Sequence, residues 1–319
     1  MLLQFFSALN VSDPRYSWRV TVLEAIQRST EFLTKKNVES PRLQAELLLA
    51  HTLQLPRMRL YLSFERALDG AEEETMRQLV KRRGAREPLQ HIVGSACFCG
   101  LDIGVSKDVL VPRPETELLA EAAWTFLKSR HSAVSTSPVS EGLAPEAAKV
   151  SALDFGTGSG CLAIAIAVNC PPARVTGLDI SERALAVARQ NAARHKVDER
   201  VELVLGDGLG TVPSGAQFDL VAANPPYIPS AEISDLEPEV REYDPHVALN
   251  GGPDGLDFYR QLATQAASRL KPDGKIMIEF GDGQHSAIEK IFRGENWIVE
   301  EILNDYTHRP RILIARVST

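Results

Sequence analysis

From residue 150 onwards, short apolar runs alternate with segments whose apolar residues recur at helical spacing. Strands are predicted over residues 150–155, 174–179, 201–205, 218–224 and 275–280, and helices over 161–168, 181–195, 256–270 and 286–292. Alternation of this kind indicates a parallel sheet with helices on both faces. Two further predicted strands, 297–303 and 311–317, are joined by a short polar connection. They should form an antiparallel edge, so the predicted fold is α/β with a mixed sheet.

The chain before residue 90 shows only helical patterning. Apolar residues at Val22, Leu23, Ile26 and Leu33 share one helical face, and Ser40 followed by Pro41 is typical of a helix start. Leu43, Leu47 and Leu48 continue the stripe, and a further helix is predicted over residues 71–83. We therefore predict a small helical bundle over residues 18–86, with a role in positioning the substrate. Residues 1–17 are interpreted as an extension.

The two parts are joined by a segment, residues 87–112, for which a linking β-hairpin is predicted. Its strands are expected at 91–94 and 101–105, connected through Gly100. A second domain follows from residue 113 to 319, and Pro112 and Pro114 bracket Arg113 immediately before its first helix. Residues 131–148 are rich in Ser, Ala, Pro and Glu and hold almost no large apolar side chain, which predicts a flexible insertion.

Composition narrows the class of protein. With 319 residues and 44% hydrophobic content, the chain is long enough to bury one large core or two smaller ones. Its longest apolar run, residues 161–168, is far shorter than the roughly 18 residues of a membrane span. The net charge of -7 divides into +3 for residues 1–90 and -10 for the rest, which supports two domains and argues against extensive phosphate binding. Four cysteines without a histidine cluster predict reduced thiols, no metal and a cytoplasmic protein.

The stretch Asn224-Pro225-Pro226-Tyr227 is the strongest candidate for chemistry. It follows an apolar strand, and ligands of open α/β sheets bind beyond the carboxyl ends of strands. The prolines keep Asn224 and Pro225 extended and supply no N–H. The Asn224 side-chain oxygen and the Pro225 carbonyl are therefore positioned to accept the two hydrogens of a planar –NH₂ group, with Tyr227 as an aromatic wall. Taken alone, the stretch is equally compatible with an ordinary Asn-Pro turn.

A glycine loop, Gly156-Thr157-Gly158-Ser159-Gly160, joins the first strand of the alternating part to its helix. Glycines at such a turn allow the backbone to approach a ligand at a helix N-terminus. The spacing differs from the dinucleotide fingerprint, which favours another ligand. Asp179, at the end of the next strand, is placed to accept hydrogen bonds from ribose hydroxyls, although it is also compatible with a helix cap. Asp207, after the third strand, is placed to reach an adenine amino group.

In this order, the motifs resemble those of class I S-adenosylmethionine-dependent methyltransferases that act on planar amino groups. Residues 87–94, 98–101, 111–117 and 250–256 further resemble the release factor glutamine methyltransferases, the PrmC/HemK family. The resemblance runs from about residue 22 to 317. It implies a Rossmann-like methyltransferase fold, with S-adenosyl-L-methionine as methyl donor and S-adenosyl-L-homocysteine as product.

The resemblance also implies the substrate and the site. The expected reaction methylates the side-chain amide of the glutamine in the Gly-Gly-Gln motif of class I peptide chain release factors. Cofactor-binding residues implied by the resemblance are Gly156, Thr157, Gly158, Ser159, Gly160, Asp179, Asp207, Gly208 and Asn224, although some family members carry a bulky residue where this chain has Gly208. Catalytic and substrate-binding residues are Asn224, Pro225, Pro226 and Tyr227, with Arg113 and Thr116 also binding substrate.

Two other functions remain open from the sequence. A nucleic-acid methyltransferase is possible, since the exocyclic amine of adenine is also a planar –NH₂ group, but the acidic second domain argues against it. A non-catalytic nucleotide-binding protein has no need of an asparagine followed by two prolines. We expect a monomer that binds neither membranes nor nucleic acid directly.

Overall fold

The computed structural model describes residues 19–135 and 149–318. The chain divides into two compact units, up to Val93 and from Gly94 onwards. The predicted extension over residues 1–17, together with residue 18, lies outside the described residues. In the part of the chain that the structure describes, no helix has both the length and the apolar character required to cross a membrane.

The first unit is helical. Capping boxes begin two of its helices: the side chain of Thr21 accepts from Glu24 N, and that of Asp69 accepts from Glu72 N. Leucines that are fully buried between the helices form a small core of their own. The helices are α1 Val22–Lys35, α2 Pro41–Leu53, α3 Arg57–Leu60, α4 Gly70–Gly84 and α5 Leu89–Val93.

The helix start predicted at Ser40 and Pro41 is confirmed: Ser40 is the N-cap residue of α2, although it has φ 46° and its side chain makes no capping hydrogen bond. Two other predictions for this region are wrong. Leu43, expected on the buried stripe, is 42% exposed, whereas Leu49 is fully buried. The strand expected at residues 91–94 is wrong, because residues 89–93 form α5.

The second unit begins with an antiparallel hairpin, β1 Ser95–Phe98 and β2 Leu101–Gly104. Cys99 and Gly100, both with positive φ, form its turn. The predicted hairpin therefore exists, but its first strand starts after α5. The next helix, α6, spans Pro114–Ser135, so the predicted insertion begins too early: residues 131–135 continue the helix, and residues 136–148 lie outside the described part.

A seven-stranded sheet forms the centre of the second unit, in the order β5-β4-β3-β6-β7-β9-β8. The five strands from β5 to β7 are parallel, and β9 runs antiparallel to both of its neighbours. The mixed α/β sheet with a closing antiparallel pair is confirmed, with β9 inside and β8 at the edge. Its elements are β3 Val150–Phe155, α7 Cys161–Asn169, β4 Ala173–Asp179, α8 Glu182–Arg194, β5 Val201–Leu205, β6 Phe218–Ala223, α9 Pro238–Arg241, α10 Asp257–Gln265, β7 Leu270–Glu279, α11 His285–Gly294, β8 Trp297–Asn304 and β9 Pro310–Val317.

Helices cover both faces of this sheet. Ala152 and Ala222 belong to the core cluster formed with α6 and α7, whereas Leu153 and Val221 belong to the cluster formed with α10 and α11. Alternate residues of one strand thus enter opposite cores. Burial on both sides explains why the central strands read as nearly continuous apolar runs.

The register of the parallel strands sets the level of the site. Phe155 of β3 pairs with Leu178 of β4 and Ala223 of β6, and Ala223 pairs with Ile278 of β7. The residues one position further along these four neighbouring strands therefore lie in one row at the carboxyl edge. That row is Gly156, Asp179, Asn224 and Glu279.

Candidate active site

A cleft lies beyond the carboxyl edge of the sheet, beside this row. It encloses about 840 Å³ of space free of protein atoms, part of it continuous with solvent. Among the residues predicted for the site, those that line the cleft are Gly156, Gly158, Asp179, Asp207, Gly208, Asn224 and Pro226.

The glycine loop turns sharply between β3 and α7. Gly156, Gly158 and Gly160 have φ of 73°, 54° and 79°, all in the left-handed region that favours glycine. A Cβ at Gly160 would lie 3.1 Å from the Cβ of Ala188, so this position also permits close packing of α8. The loop backbone lines the cleft at Gly156 and Gly158. A ligand without phosphate groups can therefore contact the backbone there directly.

Thr157 and Ser159 are part of the glycine loop but do not line the cleft. Both are buried, and the Thr157 hydroxyl donates a 2.6 Å hydrogen bond to Asp154 Oδ2. Ala163 N also donates to this oxygen. Burial raises the pKa of Asp154 to about 7, although these two hydrogen bonds stabilise the charged form. Their contacts indicate that Thr157 and Asp154 hold the shape of the loop.

Asp179 connects the end of β4 to the glycine loop. Its Oδ2 accepts from Gly158 N at 2.8 Å, and its Oδ1 accepts from Ser181 N at 2.8 Å. The helix cap is Ser181 itself, whose side chain accepts from Ala184 N, so Asp179 is not the cap of α8. Each carboxylate oxygen keeps a further lone-pair site for a ligand hydroxyl. Burial raises the pKa of Asp179, and the N–H donors oppose that shift.

The wall beside Asp207 is aromatic. Phe155 and Phe258 meet edge to face with ring centroids 6.2 Å apart, and both line the cleft. Gly208 is buried with φ 92°, and a Cβ there would approach Gln261 Nε2 within 2.5 Å. A side chain at residue 208 would be strained by the positive φ and would displace the end of the Gln261 side chain. Phe258, from α10, supplies the apolar surface at this end of the cleft.

Asn224 stands at the junction of the cleft and the sheet edge. Its Nδ2 donates a 2.9 Å hydrogen bond to Thr116 Oγ1, in the first turn of α6. Because the amide nitrogen is engaged, the Asn224 side-chain oxygen is the end that remains available to a ligand. Thr116 itself is only 4% exposed, so it lies behind Asn224.

Glu279 lies behind Thr116 and is 1% exposed. It occupies the register position next to Asn224, at the end of β7. Burial raises its pKa to about 7, whereas the nearby Thr116 hydroxyl and the charge of Arg311 favour ionisation. Its Oε2 accepts no hydrogen bond within the described residues. Asn224, Thr116 and Glu279 thus form one polar chain that leads from the cleft into the interior.

The backbone after Asn224 is supported by the glycine-rich segment 250–255. Gly251 N donates to Ile228 O at 2.9 Å, and a Cβ at Gly251 would lie 2.8 Å from Pro226 O. Gln284 Nε2 donates to Tyr227 O at 2.9 Å. Burial raises the pKa of Tyr227, and the neighbouring carboxylate of Glu279 adds to the shift. The Asn-Pro-Pro-Tyr stretch is therefore held on two sides.

Arg113 contacts the long loop that follows this stretch. Its Nη2 lies 2.7 Å from Asp244 Oδ2, and the Asp244 side chain is 2% exposed. The next residues of the loop, Pro245, Val247 and Ala248, line the cleft. The ion pair thus holds a wall of the cleft against the segment that enters α6.

The structure adds site residues that sequence reasoning missed. Glu279 stands in the apolar run Ile276-Met277-Ile278-Glu279-Phe280, where a single charged residue was a usable signal. Phe258 and the segment 245–248 carried no comparable signal, because their approach to the cleft depends on how α10 and a long loop fold back. Thr157, Ser159, Gly160, Pro225, Tyr227, Arg113 and Thr116 lie outside the cleft lining itself.

Family models match both parts of the chain. A model described as the PrmC N-terminal domain matches residues 24–94, and one described as the methyltransferase small domain matches residues 139–236.

Curated relatives match nearly the whole chain. A release factor glutamine methyltransferase of Geobacter sulfurreducens is 42% identical over 273 residues, which cover 85% of this chain and 88% of the relative. One of Chlorobaculum tepidum is 39% identical over 294 residues, covering 91% and 95%. Among solved structures, the hMettl16 catalytic domain in complex with the MAT2A 3'UTR hairpin 6 has a TM-score of 0.50 at 12% identity, covering 76% of this chain and 82% of that one. That likeness concerns the fold alone.

Proposed function

This chain belongs to the release factor glutamine methyltransferase family, and we propose that it transfers a methyl group from S-adenosyl-L-methionine to a release factor glutamine. The acceptor atom in this proposal is the side-chain amide nitrogen of the glutamine in the Gly-Gly-Gln motif of class I peptide chain release factors. The observation that carries the proposal is the hydrogen bond from Asn224 Nδ2 to Thr116, which leaves the Asn224 oxygen to accept from a planar –NH₂ group.

The hydrogen-bond acceptors and apolar walls of the cleft support S-adenosyl-L-methionine as the proposed methyl donor. Asp179 offers two carboxylate oxygens to the ribose hydroxyls, and Phe155 and Phe258 offer an apolar surface to the adenine. Gly156 and Gly158 leave room for the methionine part, and Asp207 borders the adenine edge. The bound cofactor supplies a methyl group on a sulfonium, which is an activated electrophile.

The protein's contribution is first to position the nucleophile. An amide nitrogen is a poor nucleophile because its lone pair is delocalised into the carbonyl. In the proposed site, the Asn224 oxygen accepts one hydrogen of the glutamine –NH₂ group. The carbonyl of Pro225, which lies between the lining residues Asn224 and Pro226, accepts the other, and the two bonds fix the plane and direction of the amide. Holding the reacting atoms about 3 to 3.5 Å apart and in line supplies a large part of the rate enhancement.

The second contribution is electrostatic. The substrate nitrogen becomes positively charged as it gains the methyl group, and oxygen acceptors already aimed at its hydrogens stabilise that charge without reorganisation. The new N–C bond forms as the bond between the methyl carbon and the sulfonium sulfur breaks, and the methylated amide then loses one N–H proton to solvent water, which restores its neutral form. Positioning and fixed acceptors therefore suffice, and the proposal needs no strong base at the nitrogen.

Charge favours a protein substrate over a nucleic acid. Residues from 91 onwards carry a net charge of -10, whereas proteins that bind nucleic acid derive affinity from neutralising phosphates with Lys and Arg. A protein acceptor imposes no such requirement.

We place the reaction in the cytoplasm, with the enzyme acting in translation termination as a monomer that needs no metal.

The experiment that tests this function compares two acceptors. The protein is incubated with S-adenosylmethionine labelled in the methyl group and with either a purified class I release factor or a mixture of RNA and DNA. The proposal predicts label in the release factor alone. Label in nucleic acid, or in neither acceptor, would refute it.

A further inference from the structure

We propose that Glu279 is a positioning residue, whose ionised carboxylate orders the protons of Thr116 and thereby holds the Asn224 oxygen toward the substrate amide. This inference rests on the proposed function, because it concerns how the same amide is held. The observations that carry it are the register of β6 and β7, the burial of Thr116 and Glu279, and the hydrogen bond from Asn224 to Thr116.

The first step is the placement of the three side chains. Ala223 of β6 pairs with Ile278 of β7, so Asn224 and Glu279 follow side by side at the carboxyl ends of adjacent strands. Thr116, from the first turn of α6, accepts the 2.9 Å hydrogen bond from Asn224 Nδ2, and its hydroxyl lies close enough to the Glu279 carboxylate to favour the ionised form. One hydroxyl therefore lies between the two strand ends.

The second step concerns which hydrogen bonds the Thr116 hydroxyl can donate and which it can accept. A threonine hydroxyl has one hydrogen to donate and lone pairs that accept. An ionised carboxylate only accepts, so the Thr116 hydrogen is directed to Glu279. The Thr116 oxygen must then accept from Asn224, which requires the amide –NH₂ end and agrees with the 2.9 Å bond from Nδ2. The Asn224 oxygen consequently turns toward the cleft.

The third step concerns the neutral form of Glu279. A protonated carboxyl has a hydrogen of its own to donate to Thr116. The hydroxyl hydrogen is then free to point at Asn224, which favours the flipped amide with its –NH₂ end in the cleft. That end repels the hydrogens of a substrate amide. Methyl transfer should therefore require the ionised carboxylate.

Other polar groups around Glu279 set where it titrates. Burial raises its pKa to about 7, Arg311 and Arg113 favour the ionised form, and Glu115 opposes it. Two tyrosines also lie near: Tyr259, whose hydroxyl donates to the Glu279 backbone carbonyl at 3.1 Å, and Tyr227. The groups that face Glu279 from the surrounding elements are Arg113, Glu115, Thr116, Tyr227, Tyr259 and Arg311.

The first test measures kcat for methylation of a release factor between pH 6 and 8.5, for wild type and Glu279→Gln. Wild-type kcat should rise about tenfold through pH 7, and the variant should be slower by about 10- to 100-fold, the scale of a misplaced reacting group. Its kcat should not vary with pH, and KM and the affinity for S-adenosylhomocysteine should stay within about threefold. A wild-type pH profile in the variant, or losses of affinity that match the loss of kcat, would overturn the proposal.

A second pair of variants covers the case in which Glu279→Gln does not fold. Thr116→Val removes the hydroxyl at nearly constant volume and should slow kcat as Glu279→Gln does, whereas Thr116→Ser keeps the hydroxyl and should recover most of the rate. Equal kcat in the valine and serine variants would contradict a proton-ordering role.

The last test does not depend on catalysis. The side-chain –NH₂ resonances of Asn224, assigned by comparison with Asn224→Ala, should shift with pH in the wild-type protein around a midpoint near 7 and should not shift in Glu279→Gln or Thr116→Val. Resonances that do not respond to pH in the wild type would refute the inference. A wild-type protein that shows the shift but methylates no release factor would instead refute the proposed function.

Discussion

The amide nitrogen of Asn224 donates a 2.9 Å hydrogen bond to the hydroxyl of Thr116, which lies 108 residues earlier in the chain. This bond joins the motif that enters α6 to the motif that ends β6. It also determines which end of the Asn224 amide faces the cleft. The two motifs, which lie far apart in the sequence, are thus in direct contact.

Replacement of Asp179 tests the cofactor end of the cleft. Asp179→Ala removes a carboxylate that accepts from Gly158 N and Ser181 N and that faces the proposed ribose. Affinity for S-adenosylmethionine should fall by about 1 to 3 kcal/mol, the range for loss of a charged hydrogen-bond partner. Isothermal titration calorimetry measures this directly. Asp102→Ala is a matched control, because Asp102 lies on the exposed surface of β2 and pairs with Arg194. Affinity equal to that of the control would remove Asp179 from the site.

The ion pair of Arg113 and Asp244 should act as a unit. Arg113→Ala and Asp244→Ala each release the loop whose residues 245–248 line the cleft, so each should lower kcat/KM. A double-mutant cycle should give a coupling free energy of about 1 to 2 kcal/mol, as for residues in contact. Additive losses would show that Arg113 acts separately, for instance by contacting the release factor itself.

Stability should fall as pH rises from about 5 to 8. Burial raises the pKa values of Asp154 and Glu279 to about 7, from 3.8 and 4.5, so the folded protein binds more protons than the unfolded chain in this window. Stabilisation from such groups is complete below the unfolded pKa and is lost as pH passes the folded pKa. At about 1.4 kcal/mol per pKa unit, the two units between pH 5 and pH 7 correspond to a loss of roughly 3 kcal/mol for each group.

Denaturant unfolding at pH 5.5 and pH 8 checks this prediction. Glu279→Gln should reduce the pH dependence and should be at least as stable as wild type at pH 8. Asp219 and Asp305, whose pKa values are lowered by Lys271 and Thr307 among others, affect stability only at more acidic pH. A wild-type protein that gains stability between pH 5.5 and 8 would contradict the assignment.

The first unit is predicted to position the release factor. Deletion of residues 1–93, at the boundary between the units, should reduce methylation of an intact release factor more than methylation of a short Gly-Gly-Gln peptide. Binding of S-adenosylhomocysteine by the shortened protein serves as the control for folding. Equal losses with both substrates would indicate that the first unit only stabilises the second.

Much of the fold follows from local patterns. Strands β3 and β6 and helix α7 agree with their apolar runs to within a residue, because each is buried on both sides and bounded by glycine, asparagine or polar turns. Strand β5 also has its predicted bounds, although it lies at the sheet edge with Glu202 and Leu205 exposed. The weak predictions are those where burial is one-sided. Residues 91–93 alternate too briefly to separate strand from helix, and the stripe on α2 was misplaced because its apolar residues exceed the width of one face.

Site residues that belong to a continuous sequence motif were predictable, whereas those brought to the site by the packing of distant segments were not. Asp179 and the glycine loop stand at strand ends that periodicity alone locates. Placing Glu279 in the site requires the register of β6 against β7, which no single segment specifies. Placing Phe258 there requires knowing that α10 packs back across the cleft after a long loop.

The most direct test of the account is the rate and position of methyl transfer by Asn224→Ala. With labelled cofactor and a class I release factor, tandem mass spectrometry should locate a single methyl group on the glutamine amide of the Gly-Gly-Gln motif. The variant should transfer it about 100- to 1,000-fold more slowly, as when one preorganised polar group is removed, while its affinity for S-adenosylhomocysteine stays within about threefold.

Asn169→Ala provides the matched control, because Asn169, the last residue of α7, makes no side-chain hydrogen bond to the described residues other than the one to Ala165 O. Wild-type rates are expected from the control. Transfer by Asn224→Ala at the wild-type rate, or a methyl group on any other atom of the release factor, would contradict the account.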